Sequence, residues 1–525
     1  MTGAFIVYFT GMFSVESIIS YFKKTFTRYD ILIILGVIFL YSVTRITNLD
    51  HWPIFSDEGI YIRWAHVAWK DAAWRFISVT DGRQPLQTWA TIPFLKIFPN
   101  NMLLAGRLFS VTTGFIGLIG MYSLLMYLWG KRAAIIGATL YVFLPYFVFY
   151  DRIALVDSAV NAGFIWIFFF SIILIRTRQL GLAMILGFIG GFALLAKSSS
   201  RMFLMLAATA PIMYLNETKR KILSYSINYF ALFVIAFGIS ILFYNVQRLS
   251  PFFHYVAQKN TTFVMTFDEF LKTPFAYVHN FRYVPLYIAW ESGWFIVPIS
   301  IIGLYFLYKK ESLTALYLSM FILLPYIAIS FFAKILFPRY VLFYGSILVI
   351  TATYFFITLK SRLKAGIILS LLLISMSICN YPLLFDPERA SLPPVDRGQY
   401  VTGVTAVWGA GDLMNLMREK SQTREVLILA EGDFGLVADV LKVYKREDDK
   451  IEIRGLWPLD ERHLLEYQPE LLEKQVFVVF SHRQEFPESW PIKFTQKYDK
   501  PEGEKSLFLY ELLPVDTEFS IISKK

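Results

Sequence analysis

Long runs of apolar residues recur along the first 380 residues, and they restrict the chain to folds that lie in a membrane. The chain of 525 residues is 56% hydrophobic and only 17% charged. Each run approaches the roughly 20 residues that cross a hydrocarbon layer of about 30 Å. We therefore predict an α-helical polytopic membrane protein with about eleven transmembrane helices. The predicted spans are 30–48, 102–128, 133–150, 154–175, 180–196, 201–215, 223–245, 284–307, 313–332, 339–359 and 365–382.

The distribution of charge divides the chain into two predicted domains. Residues 383–525 contain 19 Lys or Arg against 26 Asp or Glu, whereas residues 1–382 contain 31 against 14. We predict a transmembrane domain over 1–382, which includes a long loop at 49–101, and a soluble domain over 383–525. The basic excess lies in short loops between spans, without a basic stripe interleaved with aromatic residues, so we expect no nucleic-acid partner.

The soluble part alternates helical and strand-like segments. Gly411–Lys420 has a helical pattern, and Val426–Ala430, Val476–Ser481 and Ser506–Leu512 are rich in apolar residues typical of strands. This alternation predicts a small α/β domain.

The basic residues also predict the orientation in the cell membrane. If the N-terminus is cytoplasmic, every inside segment contains Lys or Arg, from Lys23 and Lys24 before the first span to Lys360 and Lys364 before the last. This agrees with the preference of Lys and Arg for the cytoplasmic side. An odd number of spans then places the loop 49–101 and the C-terminal domain on the extracytoplasmic side.

Acids and cations on the predicted outer face are the candidates for chemistry. The dipeptide Asp57-Glu58 follows the first span closely, in a part of the chain with few acids. Six cations lie at span ends or in tight loops on the same side, where the orientation rule should exclude them. A bound anion at the outer boundary would explain them together. These cations are Arg83, Arg152, Lys197, Arg201, Lys334 and Arg339.

The order of these residues resembles that in GT-C glycosyltransferases, specifically the group of protein O-mannosyltransferases and aminoarabinose transferases. Asp57-Glu58 is preceded by Arg45 near the end of the first span and followed by Gln84-Pro85-Leu86, which departs from a "PPL"-like segment at its first residue. Ala196-Lys197-Ser198 is similar to a "TKG"-like turn without its glycine. Arg152 and Asp157 match an Arg and an Asp at the start of a later span.

The resemblance implies an inverting transfer of a sugar from a polyprenyl-phosphate donor to an acceptor hydroxyl on a protein, lipid or glycan of the cell envelope. A phosphate monoester is already a stable anion, so its departure needs little protonation and one general base suffices. Asp57 is the expected base. The expected substrate-binding residues are Glu58, Arg45, Tyr61, Arg83, Arg152, Asp157, Lys197, Arg201, Arg339 and Tyr340.

Other interpretations remain open from the sequence. A multi-pass transporter or exporter of a lipid-linked or anionic substrate is the alternative from a different class. Asp57 and Glu58 would also suit the first turn of a helix running to Lys70, and Asp157 would suit an ion pair with Arg152. Asp268-Glu269 is expected to be an ordinary solvated pair. We expect no cofactor and no required divalent metal, because the chain has no recognisable metal-binding motif and lacks the W-W-D-Y-G signature of oligosaccharyltransferases.

Overall fold

The structure is a computed structural model, and it describes residues 26–502 and 505–515. Lys23, Lys24 and the predicted cytoplasmic N-terminus lie outside the described residues. The helices up to residue 385 are α1 (Arg28–Ile46), α2 (Ser56–Lys70), α3 (Leu86–Ile97), α4 (Met102–Trp129), α5 (Lys131–Phe143), α6 (Pro145–Tyr150), α7 (Asp157–Thr177), α8 (Leu180–Ala196), α9 (Arg201–Ala207), α10 (Lys219–Asn245), α11 (His254–Phe263), α12 (Phe267–Lys272), α13 (Asn280–Glu291), α14 (Ile296–Lys310), α15 (Ser312–Phe332), α16 (Phe343–Thr358) and α17 (Arg362–Phe385).

The predicted helical, polytopic membrane architecture is confirmed. In the described part of the chain, α1, α4, α7, α10, α15 and α17 are long and apolar enough to cross a membrane. The pair α13 and α14 makes a seventh candidate if it counts as one span bent by 107°. Shorter apolar helices α8 and α16 occupy two further predicted spans. The runs 133–150 and 201–215 fall on shorter helical pieces, so the total of about eleven crossings stays a prediction.

Helix breaks inside predicted spans have local causes in the backbone. The run 133–150 is divided at Leu144, which is extended because the following Pro145 disfavours helical geometry in the residue before it. Between α13 and α14, Gly293 and Trp294 adopt φ values of 80° and 59°. Left-handed residues end a right-handed helix, so the chain turns sharply there.

Helix α7 lies at the centre of the packed helices. Its apolar window is 89% buried, the largest fraction among the candidate spans. The ring of Phe164 on this helix packs against Phe203, Phe321 and Phe343, with centroid distances of 5.3, 5.8 and 5.5 Å. Because α7 is fixed on all sides, its first residue, Asp157, has a well-defined position.

The C-terminal part contains a mixed five-stranded sheet. Its strands are β3 (Val426–Glu431), β4 (Ile451–Leu456), β5 (Gln475–Phe480), β6 (Ile492–Tyr498) and β7 (Leu507–Leu512), in the order β4-β3-β5-β7-β6. β3 is parallel to β4 and β5, whereas β7 is antiparallel to β5 and β6. The remaining elements are β1 (Ile54–Phe55), β2 (Ala406–Val407), α18 (Pro394–Arg397), α19 (Ala410–Ser421), α20 (Val437–Tyr444) and α21 (Glu461–Glu466).

The three predicted strands and the predicted helix at 411–420 are confirmed, and the sheet adds two strands that the sequence pattern did not reveal. Strand β6 alternates Ile492, Phe494 and Tyr498 with polar residues, but Gln496 interrupts the pattern and most of the strand is exposed. Strand β4 contains Gly455 and two charged residues, which weaken its strand pattern in the same way.

Residue contacts divide the chain into two compact bodies. The first, here called the helical body, contains residues up to Thr47, Phe76–Gln87 and Ser110–Asp386. The second, called the mixed body, contains Asn48–Arg75, Thr88–Phe109 and the chain from Pro387 onward. Much of the loop 49–101 thus packs with the C-terminal sheet. The predicted domain boundary at 382/383 remains a prediction.

Candidate functional site

Asp57 and Glu58 lie in the first turn of α2, within the mixed body. Strand β1 pairs antiparallel with β2, Ile54 opposite Val407, and α2 begins directly after this pairing. The carboxylate of Glu58 accepts a hydrogen bond of 3.0 Å from the backbone N–H of Phe55, which satisfies a donor at the helix entrance. The helix running to Lys70 that the sequence allowed is therefore present. The two acids differ in exposure, since Asp57 is half-buried and Glu58 is completely buried.

Glu58 forms a buried bidentate ion pair with Arg107. Nε and Nη2 of Arg107 each lie 2.9 Å from a different carboxylate oxygen, and neither side chain has exposed surface. The same guanidinium donates to the backbone carbonyls of Leu49, Trp52 and Pro53, at 2.7, 3.2 and 3.3 Å. One arginine thus holds the whole segment that leads into α2.

Arg107 is a functional candidate that the sequence reasoning missed. It lies six residues into the long apolar helix α4. A charged residue in such a run is costly unless it is paired, so its presence signals a buried partner. That signal is visible in the sequence, but the identity of the partner is not, because Glu58 lies 49 residues away.

Arg45 forms a second buried ion pair, in the helical body. Its Nε lies 3.2 Å from Asp151, and both side chains are fully buried. Nη1 donates to the hydroxyl of Thr44 and to the carbonyl of Val142. Asp151 also accepts a hydrogen bond of 2.7 Å from Ser158. Arg45 therefore ties the end of α1 to the turn between α6 and α7.

Arg152, next to Asp151, binds the last carbonyl groups of α1. Its Nη1 lies 3.3 Å from the carbonyl oxygens of Thr44 and Arg45, and 2.7 Å from that of Thr47. A cation is favourable at this position, because helix C-termini expose carbonyl groups that have no partner within the helix and carry partial negative charge.

Lys197 makes two contacts that bring distant predicted residues together. Its Nζ lies 2.9 Å from Oδ1 of Asp157 and 4.0 Å from the ring centroid of Tyr340. The lysine side chain is 28% exposed, whereas that of Asp157 is almost fully buried. Acid, cation and aromatic ring thus form one cluster, with part of the lysine open to solvent.

The segment Gln84-Pro85-Leu86, which is similar to the PPL-like segment of the family, contacts the turn after Lys197. Nε2 of Gln84 donates to Oγ of Ser198 at 2.5 Å. Gln87, three residues later, donates to the backbone carbonyl of Ala154 in the turn before α7. The predicted motifs around residues 84, 157, 197 and 340 therefore converge in the helical body.

The remaining predicted residues have varied surroundings. Arg83 pairs with Asp81 at 2.9 Å, and Asp81 also binds Lys259 at 2.8 Å. Arg201 is exposed beside the ring of Tyr244, at 5.3 Å. Arg339 is largely buried and lies 4.7 Å from the ring of Phe337, and Tyr61 on α2 packs edge-on against Trp64 at 5.7 Å.

Within residues 26–502 and 505–515, no group of three or more acidic, histidine or cysteine side chains is placed to hold a metal ion. The expectation that transfer needs no divalent metal stays a prediction.

Residues 83–244 match the family model described as dolichyl-phosphate-mannose-protein mannosyltransferase. This stretch contains Arg152, Asp157, Lys197 and Arg201 of the predicted site. No curated protein matches the chain by sequence.

Solved structures show the same fold at low sequence identity. ArnT from Cupriavidus metallidurans bound to undecaprenyl phosphate is similar with a TM-score of 0.59 and 13% identity, over 92% of this chain and 98% of that one. Its apo state has a TM-score of 0.58 and 13% identity, over 92% and 97% of the two chains. An Archaeoglobus fulgidus oligosaccharyltransferase tethered to an acceptor peptide has a TM-score of 0.50 and 12% identity, over 88% and 70%.

Residues 83–244 are therefore similar in sequence to the protein mannosyltransferases, and the described chain shares its fold with ArnT. The chain is a multi-pass membrane protein whose similarity is to membrane glycosyltransferases of this group. The resemblance predicted from the sequence is confirmed.

Proposed function

We propose that the protein is an inverting glycosyltransferase that moves a sugar from a polyprenyl-phosphate donor to an acceptor hydroxyl on the outer face of the cell membrane. Asp57 is the general base in this proposal. The acceptor is a hydroxyl on a protein, a lipid or a growing glycan. The proposal includes about eleven crossings, with the N-terminus in the cytoplasm and the C-terminal sheet outside.

The cluster around Lys197 is the observation that supports binding of a polyprenyl-phosphate donor. This lysine is oriented by Asp157 at 2.9 Å and by the ring of Tyr340 at 4.0 Å, while part of its side chain stays accessible. A lysine ammonium is a mobile point charge that suits a phosphate oxygen. Lys197 is therefore assigned to the donor phosphate, where its charge also stabilises the phosphate as it leaves.

Asp57 is favoured over Glu58 as the base because of their surroundings. Glu58 is completely buried, and its oxygens accept hydrogen bonds from Arg107 and from the Phe55 amide. A completely buried carboxylate held by these donors offers no accessible oxygen to an acceptor hydroxyl. Asp57 in the first turn of α2 is only half-buried, so it keeps surface that an acceptor can approach.

The proposed reaction needs one proton transfer at the acceptor. Asp57 removes the hydroxyl proton, the acceptor oxygen bonds to the anomeric carbon, and the bond from that carbon to the phosphate oxygen breaks. The electron pair leaves with the phosphate, which requires no acid. Arg45 and Glu58 belong to buried ion pairs, and Arg152 binds the carbonyl groups at a helix end. Their role in substrate binding, like that of the remaining predicted residues, is a proposal.

The test compares Asp57→Asn with Asp268→Asn. Asp268 is a matched control because it is an acid at the second position of a helix in an equivalent Asp-Glu pair, and it is exposed. Loss of a general base typically costs about 10²–10⁴-fold in rate. At equal expression, cells with Asp57→Asn should lose the glycan product in mass spectra, and cells with Asp268→Asn should retain it.

Two results would contradict the proposal. Wild-type product levels with Asp57→Asn would remove Asp57 as the base. Movement of a lipid-linked sugar across the membrane without any covalent product would favour the exporter instead.

The orientation is tested separately with Glu485→Cys in a Cys379→Ser background, which an impermeant thiol reagent should label in intact cells.

A further inference from the structure

We propose that helix α20 of the C-terminal sheet region sets the position of Asp57, and that Gly59, Val440, Arg63 and Asp439 are positioning residues for transfer. This inference rests on the proposed function of Asp57. All of the contacts that support it lie within the mixed body.

The start of α2 is attached to the C-terminal chain through its backbone. β1 forms a two-residue antiparallel pair with β2, and the amide of Ser56 donates to the carbonyl of Thr405 at 2.9 Å. The ring of Phe55 packs against that of Tyr400, with centroids 4.7 Å apart. The residue before Asp57 is thus anchored to a segment about 350 residues later in the chain.

The body of α2 then packs closely on α20. A Cβ atom added to Gly59 would lie 3.2 Å from Cγ2 of Val440 and 3.4 Å from its backbone nitrogen. That distance is shorter than an ordinary carbon–carbon contact of about 3.5–4.0 Å. Only glycine allows the two helices to approach this closely without displacement, and Gly59 is two residues from Asp57.

An ion pair fixes the same two helices one turn further along. Nη1 of Arg63 lies 2.8 Å from Oδ1 of Asp439, whose side chain is only 1% exposed. Asp439 also accepts a hydrogen bond from the amide of Gly435. Arg63 lies on α2 one turn beyond Gly59, so the close contact and the ion pair together restrict both sliding and rotation of α2 against α20.

Aromatic packing completes the attachment. The loop between β3 and α20 places Phe434 against Trp64, with ring centroids 5.8 Å apart. The next residue, Gly435, approaches Ile60 so closely that an added Cβ would lie 2.9 Å from the isoleucine side chain. The soluble region therefore holds α2 from its first residue to its third turn.

Position matters for a general base because proton transfer requires hydrogen-bond distance to the acceptor hydroxyl. Displacements of about 1 Å can cost about 100-fold in rate. Gly59→Ala should shift α2 by a few tenths of an ångström, and we expect kcat to fall about three- to tenfold, with the KM for the donor unchanged. Alanine has a higher helix propensity than glycine, so the same variant should not weaken α2 itself.

The experiment is a double-mutant cycle in the full-length protein. Gly59→Ala, Val440→Ala and the double variant are compared for kcat and for thermal unfolding. Val440→Ala removes the atom nearest to the added methyl group, so the double variant should recover most of the lost rate. Gly238→Ala is the matched control, because it lies inside helix α10 with no atom within 4 Å of the added Cβ, and its kcat should equal that of wild type.

The outcomes separate this inference from the proposed function. Wild-type kcat in Gly59→Ala, or a loss that Val440→Ala does not restore, would overturn the positioning role even if Asp57→Asn is inactive. Full activity of Asp57→Asn would instead overturn the proposed function. A parallel fall of kcat and melting temperature in Gly59→Ala would indicate a structural defect, which also contradicts the inference.

Discussion

The buried ion pair between Glu58 and Arg107 allows us to predict how much stability the protein loses when the pair is broken. Replacing Arg107 with Met removes two contacts of 2.9 Å to the carboxylate and three to backbone carbonyls. Breaking a fully buried ion pair by removing one partner costs about 3–5 kcal/mol. For a body of this size, 1 kcal/mol corresponds to about 2–4 °C, so the melting temperature of the mixed body should fall by about 6–20 °C.

The contacts also predict how the single and double variants compare. Glu58→Gln leaves the buried charge of Arg107 without its carboxylate, so this variant should also lose about 3–5 kcal/mol. The double variant Glu58→Gln/Arg107→Met leaves no buried charge, and it should be less destabilised than the sum of the single changes. The remaining cost in the double variant comes from the carbonyls of residues 49, 52 and 53, at about 1–3 kcal/mol for each one left without a partner.

The assay is tryptophan fluorescence during thermal unfolding of the detergent-purified protein, together with hydrogen exchange of residues 49–58. Lys70→Met is the control, because Lys70 pairs with Glu447 at 2.5 Å on the surface of the same body, with side chains 48% and 55% exposed. Exposed pairs contribute less than about 1 kcal/mol. Melting of Arg107→Met within 2 °C of the control, with unchanged exchange, would refute the assignment of Arg107 as the anchor of this segment.

Three further predictions concern the donor, pH and metal. Lys197→Met should weaken binding of polyprenyl phosphate at least tenfold. Lys131→Met, which removes a similar pair with Asp30 at 2.8 Å, should not; equal affinities in a binding titration would contradict the donor role. Burial raises the pKa of Asp439 from 3.8 to about 6 against the opposing charge of Arg63, so the folded state binds this proton more tightly than the unfolded state, and stability from this group is lost as pH rises from about 4 to 6. Asp439→Asn should therefore remove that slope, measured by melting across pH. EDTA should leave transfer unchanged; loss of product that manganese restores would show a metal requirement.

Local sequence patterns predicted the membrane helices, but they did not predict where those helices are interrupted. Apolar runs placed every predicted span on helical structure, since burial of a membrane helix depends mainly on the composition of about 20 consecutive residues. The bend between α13 and α14 depends on left-handed backbone at Gly293 and Trp294, and that conformation is not visible in hydropathy. Strand β6 was missed because Gln496 interrupts its short alternation of apolar and polar residues.

The candidate site was only partly accessible from the sequence. Asp57-Glu58, Lys197 and Arg339-Tyr340 were proposed as candidates from their type, their order and their predicted membrane side. Their partners were not, because ion pairs join residues that are far apart in sequence. Asp157 pairs with Lys197, 40 residues away, whereas the sequence suggested the nearer Arg152.

The sequence by itself determined the class of protein, the helices and most of the C-terminal sheet, because these follow from composition and from periodicity within single segments. Only the tertiary structure distinguished the two neighbouring acids. Glu58 and Asp57 have the same charge and adjacent positions, yet Arg107 buries and neutralises one of them while the other stays half-buried. Burial depends on which distant side chains pack around a residue, and that is decided by the whole fold.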